Sequence, residues 1–303
     1  MTDYSKVLDP EVREFIRQSE AHYPADATRL TLKENRALYD VMCAHFRAPR
    51  PPGITVTDTP IAGVPCRQYD PAKGGPVTVI YIHGGGFVLG GLDSHDDICS
   101  ELAARTGLVV ISVDYRLAPD HLHPAQFDDA FAVAETVGKT SAIVLVGDSA
   151  GGQLAASVAH SMRGSGVQIN GQVLIYPGLG GPRGTGSHVT HAQAPMLSAQ
   201  EVDAYAGTRF ENGVVPDSDS RAAPLTDTDF SGLPDTLAIA AQCDPLADDV
   251  VRYADKIRAA GGSVTAITEP GLVHGYLRAR HISRRAGDSF DRICRGVAEM
   301  AAT

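Results

Sequence analysis

The amino-acid sequence predicts an α/β protein: a mostly parallel central sheet flanked by helices, with a helical cap. Six short β-branched runs, Val77–Ile82, Leu108–Val113, Ile143–Val146, Val173–Tyr176, Thr236–Ala240 and Val264–Ile267, are mostly near-continuously apolar, as strands buried on both faces of a parallel sheet are. Amphipathic stretches near 97–105, 125–137, 151–162 and 249–260 fall between them and are long enough for the crossover helices that parallel strands require. A separate helical segment precedes the first strand.

That segment carries two apolar patterns at helical spacing, Val12, Phe15 and Ile16, then Leu38, Val41, Met42 and Phe46, each of which needs a surface to cover. Arg50-Pro51-Pro52-Gly53 ends it, because proline cannot continue a helix and drives the preceding residue to extended geometry. Two helices this short cannot form their own core. Residues 1–48 are therefore expected to be cap helices on a main domain spanning 49–303. The stretch from Pro177 to about Ala194 is rich in Gly, Pro, Ser and Thr, and a helical stretch with Val202, Tyr205 and Phe210 follows. An insertion of this length, about 178–212, is expected to contribute to a lid or cap.

The chain has 303 residues, 43% of them hydrophobic and 20% charged, an ordinary globular composition with enough apolar side chain for a large core. Its net charge of −10 opposes nucleic acid and anionic membrane surfaces. Five scattered cysteines match neither a disulfide framework nor a metal-ligand spacing and suit a reducing compartment. The N-terminus lacks a basic region followed by an apolar one, and no apolar run approaches the ~20 residues that span a bilayer. A cytoplasmic protein is expected, and homodimerisation stays open.

The segment Ile143–Val146 runs into Gly147-Asp148-Ser149-Ala150-Gly151 and leaves through Gln153-Leu154-Ala155-Ala156. This is G-x-S-x-G in its strand–turn–helix context, where a tight turn presents the serine above a helix N-terminus. Taken alone, it could be a glycine-rich turn with an incidental serine. Upstream, Val77–Ile82 runs into His83-Gly84-Gly85-Gly86-Phe87, where glycines let backbone N–H groups approach a ligand. Such groups can hold the oxyanion that develops in acyl transfer. Gly84, Gly85 and Gly86 form this loop, the N–H groups of Gly85 and Gly86 being nominated as donors with that of Ala150. A phosphate loop is excluded, since no lysine follows and neither this segment nor Gly178–Arg183 satisfies G-x-G-x-x-G.

A serine hydroxyl needs an imidazole base, oriented by a carboxylate on its far nitrogen. His274 lies shortly after the last predicted strand, and Asp244 just beyond Thr236–Ala240, so the chain order Ser149, Asp244, His274 is that of the α/β-hydrolase fold. Asp248 and Asp249 are read as first-turn residues of the next helix, where a carboxylate meets the helix dipole. His83, His188 and His191 are the other histidines expected near the cleft, His83 as an orienting residue of the glycine loop.

With H-G-G-G, G-D-S-A-G and Tyr115-Arg116-Leu117-Ala118-Pro119 in one chain, the sequence resembles the bacterial hormone-sensitive-lipase-like esterases, from about Leu8 to near Val297. The resemblance implies Ser149 as nucleophile, Asp244 as triad acid, His274 as base, no metal or organic cofactor, and a cap over the site. Departures are modest: Asp120 stands where glutamate is usual, and Tyr276 where phenylalanine is usual. Asp148 is read as tying the nucleophile turn to Tyr115–Pro119, or else as a carboxylate at a helix N-terminus. The expected partner is a small-molecule ester, with Phe87, Val88, Met196 and Leu197 as pocket residues and short acyl chains preferred. An amidase or arylformamidase on the same scaffold, or a receptor that keeps the cleft without catalysis, would share most of these features.

Overall fold

The computed structural model of the protein describes residues 2–24 and 30–303, so residues 1 and 25–29 of the expected N-terminal cap lie outside the described residues. The chain begins with helices α1 (Tyr4–Val7), α2 (Pro10–Glu20) and α3 (Leu32–Phe46). Asp9 caps α2 through Val12 N, with Pro10 at the first turn, and Thr31 and Glu34 form a reciprocal capping box on α3, so orphan N–H groups at both starts are satisfied locally.

Strands and helices then alternate: β1 (Ile54–Ile61), β2 (Val64–Pro71), β3 (Val77–Ile82), α4 (Asp96–Thr106), β4 (Val109–Val113), α5 (Ala125–Gly138), β5 (Ala142–Asp148), α6 (Ala150–Ser161) and β6 (Ile169–Ile175). After β6 come the short α7 (Ser187–Thr190), α8 (Ala199–Arg209), β7 (Asp235–Cys243), α9 (Ala247–Ala259), β8 (Val264–Val273) and α10 (Arg284–Ala301). The eight strands form one sheet in the order β1-β2-β4-β3-β5-β6-β7-β8. β1 and β2 pair antiparallel, as do β2 and β4, and β4 to β8 are parallel through β3.

The sheet is wound on both faces. Val79, Tyr81, Val144, Val146, Val173, Ile175 and Ile239 share one core with α2, α3, α4 and α10, while their alternates Ile80, Ile82, Ile143, Leu145, Leu174 and Ala238 share the other with α5, α6 and α9. The period of two along each strand sends successive side chains to opposite faces, which explains why both sets must be apolar.

Three expectations need correction. β1 and β2 are missing from the sequence reading. On α3 the buried face is Met42, Cys43 and Phe46, with Tyr39 packed beside it, whereas Val41 is exposed. The N-terminal helices are also more than a cap, because Val12, Phe15 and Ile16 of α2 are buried in the main core. All five cysteines are free and buried, and among the described residues no helix is long and apolar enough to cross a membrane.

Candidate active site

Parallel strands bring their carboxyl ends to one edge of the sheet, where α/β proteins place their sites. β3 delivers the glycine loop there, β5 the nucleophile turn, β7 Asp244 and β8 His274. At the nucleophile turn Ser149 has φ 52° and ψ −119°, a region that costs an ordinary L-residue about 1–3 kcal/mol. The turn is held because Ser149 N–H donates to Ile175 O at 2.8 Å and Ser149 O accepts from Gln153. A Cβ at Gly147 would strike the Gly151 carbonyl, and one at Gly151 would strike the Ile82 carbonyl, so neither glycine can be larger.

Ser149 Oγ lies 2.8 Å from His274 Nε2, and His274 Nδ1 lies 2.6 Å from Asp244 Oδ2. Asp244 is fully buried, and its other oxygen accepts from Leu246 N–H at 2.9 Å. A carboxylate can only accept, so Nδ1 carries the hydrogen and Nε2 is left as the acceptor for the serine hydroxyl. The Tyr176 ring packs 4.8 Å from the imidazole, centroid to centroid.

The glycine loop folds beside this line. Gly84 N–H donates to Asp148 Oδ1 at 2.9 Å, so Gly84, expected in the oxyanion loop, has no amide to offer. No hydrogen bond among the described residues uses the N–H of Gly85, Gly86 or Ala150. Gly85 and Gly86 adopt φ 122° and 61°, and Tyr205 of α8 occupies the space a Gly86 side chain would need.

Asp148 also accepts from the Tyr81 hydroxyl at 2.9 Å and the Tyr176 hydroxyl at 3.4 Å, and lies 3.3 Å from His95 Nε2. Burial alone would raise its carboxyl, but His95, the Arg278 guanidinium and the Tyr81 hydroxyl together hold it well below the usual range. Its partners are therefore the glycine loop, His95, Tyr81 of β3 and Tyr176 just past β6 rather than Tyr115–Pro119. That segment reaches the loop by its own route, Tyr115 Oη donating to His83 O at 2.9 Å. The His83 ring stacks on Tyr115 at 4.2 Å, and burial pulls it down to about 3, so it orients the loop as a neutral ring.

These groups meet a cavity of about 1050 Å³ whose lining includes Ser149, His274, Gly85, Gly86 and Ala150, along with the expected Phe87, Val88, Met196 and Leu197. His188 lines it too, whereas His191 is engaged with the Tyr4 hydroxyl at 3.0 Å. Sequence reasoning missed Tyr39, Tyr205, Arg209 and Arg278, which also line the cavity. The i, i+4 spacing of Tyr205 and Arg209 on α8 was the available signal, since it puts both on one helical face.

Asp248 and Asp249 sit in the first turn of α9, but each also grips the insertion. Asp248 accepts from Ser187 N–H at 3.1 Å, and Asp249 from Leu179 N–H at 2.7 Å and Gly181 N–H at 3.2 Å. Burial raises the Asp249 carboxyl from 3.8 to about 6 despite these amides. A group raised in the fold favours folding while protonated and loses that contribution as pH climbs from about 4 through 6. Asp249→Asn keeps an acceptor for both amides without the charge. At pH 8 it should be more stable than the parent by up to about 3 kcal/mol, the gain shrinking toward pH 5; a thermal melt showing the variant less stable at pH 8 contradicts this.

Residues 79–278 match the family model described as alpha/beta hydrolase fold. The chain is 36% identical over 247 residues to carboxylesterase NlhH of Mycobacterium tuberculosis, covering 77% of each. It is 33% identical over 241 residues to an ethyl acetate hydrolase of Pseudomonas putida, covering 74% of this chain and 75% of that one. Among solved structures, an ester hydrolase from the metagenome of Lake Arreo, complexed with a bipyridine phosphonate derivative, superposes with a TM-score of 0.88 at 30% identity, covering 98% of this chain and 100% of that one. With this site at the carboxyl edge of this sheet, the chain belongs to the α/β-hydrolase fold family and, within it, to the hormone-sensitive-lipase-like esterases, which makes it a carboxylic ester hydrolase.

Proposed function

We propose that the chain hydrolyses short-chain carboxylic esters through an acyl-enzyme on Ser149, with His274 as base and Asp244 as triad acid. The observation that carries this is the continuous hydrogen-bonded line from Asp244 through His274 to Ser149, 2.6 and 2.8 Å long, reaching the wall of the cavity. His274 Nε2 takes the hydroxyl proton as Oγ attacks the ester carbonyl. The oxyanion is met by the N–H groups of Gly85, Gly86 and Ala150, fixed before the charge develops. His274 returns the proton to the departing alkoxide, and water then repeats the sequence on the acyl-enzyme. Throughout, Asp244 holds the tautomer and stabilises the imidazolium.

The short-chain preference is supported by the similarity to the ethyl acetate hydrolase of Pseudomonas putida and by the surface. Exposed large apolar side chains among the described residues are Val41, Val189, Val214, Val215 and Val251, spread over α3, α7, the loop after α8 and α9, not a face that would seat on a lipid interface. A series of p-nitrophenyl esters from acetate to palmitate should show the highest kcat/KM at roughly two to six acyl carbons. Faster turnover of emulsified long-chain triglyceride than of butyrate would overturn it. Matched amides should be hydrolysed far more slowly.

The cap is assigned to the N-terminal segment together with the insertion. Tyr23, Leu32, Tyr39 and Met42 line the cavity, and Arg36 of α3 donates to Val88 O at 2.9 Å and Ala118 O at 3.0 Å while pairing with Asp120 at 2.7 Å. Deleting residues 1–48 should cost solubility or raise KM; a truncated enzyme with unchanged kinetics would show the assignment wrong.

A further inference from the structure

The wall of the cavity contains a guanidinium that the triad does not use. Arg209, the last residue of α8, is 1% exposed and lines the cavity. Its Nη1 donates to Ala222 O at 3.4 Å and its Nη2 to His123 Nδ1 at 3.3 Å, while its buried Nε has no partner. The guanidinium carbon lies 3.8 Å from the centroid of the Phe87 ring. Ala222 O also accepts from Gln153 Nε2, one turn along α6 from Ser149. The charge therefore sits between the first turn of the nucleophile helix and the residue that follows the oxyanion glycines.

Other arginines of the cavity differ. Arg183 pairs with Asp203, and Arg252 with Asp248 and Asp249. Arg278 donates to the Tyr39 hydroxyl and Cys43 and faces the Asp148 charge. Among the described residues the carboxylate in line with Arg209 is Asp219, and it stands behind His123, whose Nε2 lies 3.0 Å from Asp219 Oδ2. Since a guanidinium only donates, His123 Nδ1 must accept, which leaves Nε2–H to donate to Asp219. The positive charge is thus held through a neutral imidazole, with the Nε–H unspent. Burial pulls the Arg209 guanidinium down to about 9, the direction expected of a desolvated cation that lacks a contacting anion.

We propose that Arg209 is the anionic subsite of the pocket and selects esters bearing a carboxylate, which pairs with its guanidinium on entry. A buried cation with an unpartnered donor is costly until an anion arrives, and a charge-assisted pair is then stronger than a neutral one. The proposal rests on the esterase reading above and names the substrate class of that site.

The test uses two pairs, each an anionic ester and a neutral ester of similar chain length. One places the charge on the acyl side, p-nitrophenyl hemiglutarate against p-nitrophenyl pentanoate. The other places it on the alcohol side, butyryloxyacetate against propyl butyrate. In the wild-type protein the anionic member of one pair should equal or exceed its neutral match in kcat/KM, and that pair identifies the side. In Arg209→Met the ratio of anionic to neutral kcat/KM in the same pair should fall about 100-fold, and in Arg209→Lys by less, since the charge remains but the fork is lost. If both anionic esters are rejected more than 100-fold by wild-type protein, or if Arg209→Met leaves the ratio unchanged, the subsite is refuted. Should Arg209→Met fail to fold, the wild-type ratios decide alone. Absence of turnover on all four esters would instead refute the esterase reading.

Discussion

Replacing His274 by alanine should lower kcat for p-nitrophenyl butyrate by about 10⁴–10⁶-fold with little change in folding. The imidazole is the only group within hydrogen-bond reach of Ser149 Oγ among the described residues, at 2.8 Å, and its loss leaves a hydroxyl with no acceptor for its proton. The residual rate would come from binding and the oxyanion amides. The other histidines of interest have separate duties: His83 stacks on Tyr115 beneath the glycine loop, and His191 meets Tyr4. His191→Ala should therefore keep most of the activity. A His274→Ala enzyme within tenfold of the parent would refute the role of base.

Asp244→Asn should be nearly as damaging, about 10⁴-fold in kcat, while the protein stays folded. The amide of asparagine can donate to Nδ1, which reverses the imidazole and points an N–H at Ser149 where an acceptor is required. Asp248→Asn and Asp249→Asn should retain most activity, because those carboxylates hold Ser187 and the Leu179–Gly181 backbone rather than His274. Measured kcat values for the three variants decide between them; a crippled Asp248→Asn beside an active Asp244→Asn would place the triad acid wrongly.

The parallel half of the sheet was legible because burial on both faces forces continuous apolar runs, and Val77–Ile82 appears in the structure with the same bounds. β1 and β2 were not legible for the opposite reason. They are antiparallel and half-exposed, interrupted by Pro60 and Pro65, and joined through Ala62 and Gly63 at φ 52° and 83°, where Asn-Gly would have been the usual signal. The C-terminal α10 did carry its signal, Phe290, Ile293, Cys294 and Val297 at helical spacing on a buried face. Within the site, Ser149, Asp244 and His274 could be picked out because the α/β-hydrolase order fixes where along the chain each member falls. What no local motif could reveal were contacts made by distant segments: Asp148 taking the Gly84 amide, Tyr205 covering Gly86, and Arg209 over Phe87. Gly84, placed in the oxyanion loop beside the nominated donors Gly85 and Gly86, is set apart by one such contact, since three adjacent glycines look alike until a carboxylate 64 residues away claims one amide.

The most direct measurement is covalent labelling with a serine-directed organophosphate, followed by intact mass and peptide mapping alongside residual activity. The account predicts one adduct per chain, located on Ser149, with activity lost in proportion to labelling, and a Ser149→Ala protein that is inactive and unlabelled. A stoichiometric adduct on any other residue, or full activity in protein labelled at Ser149, would contradict it.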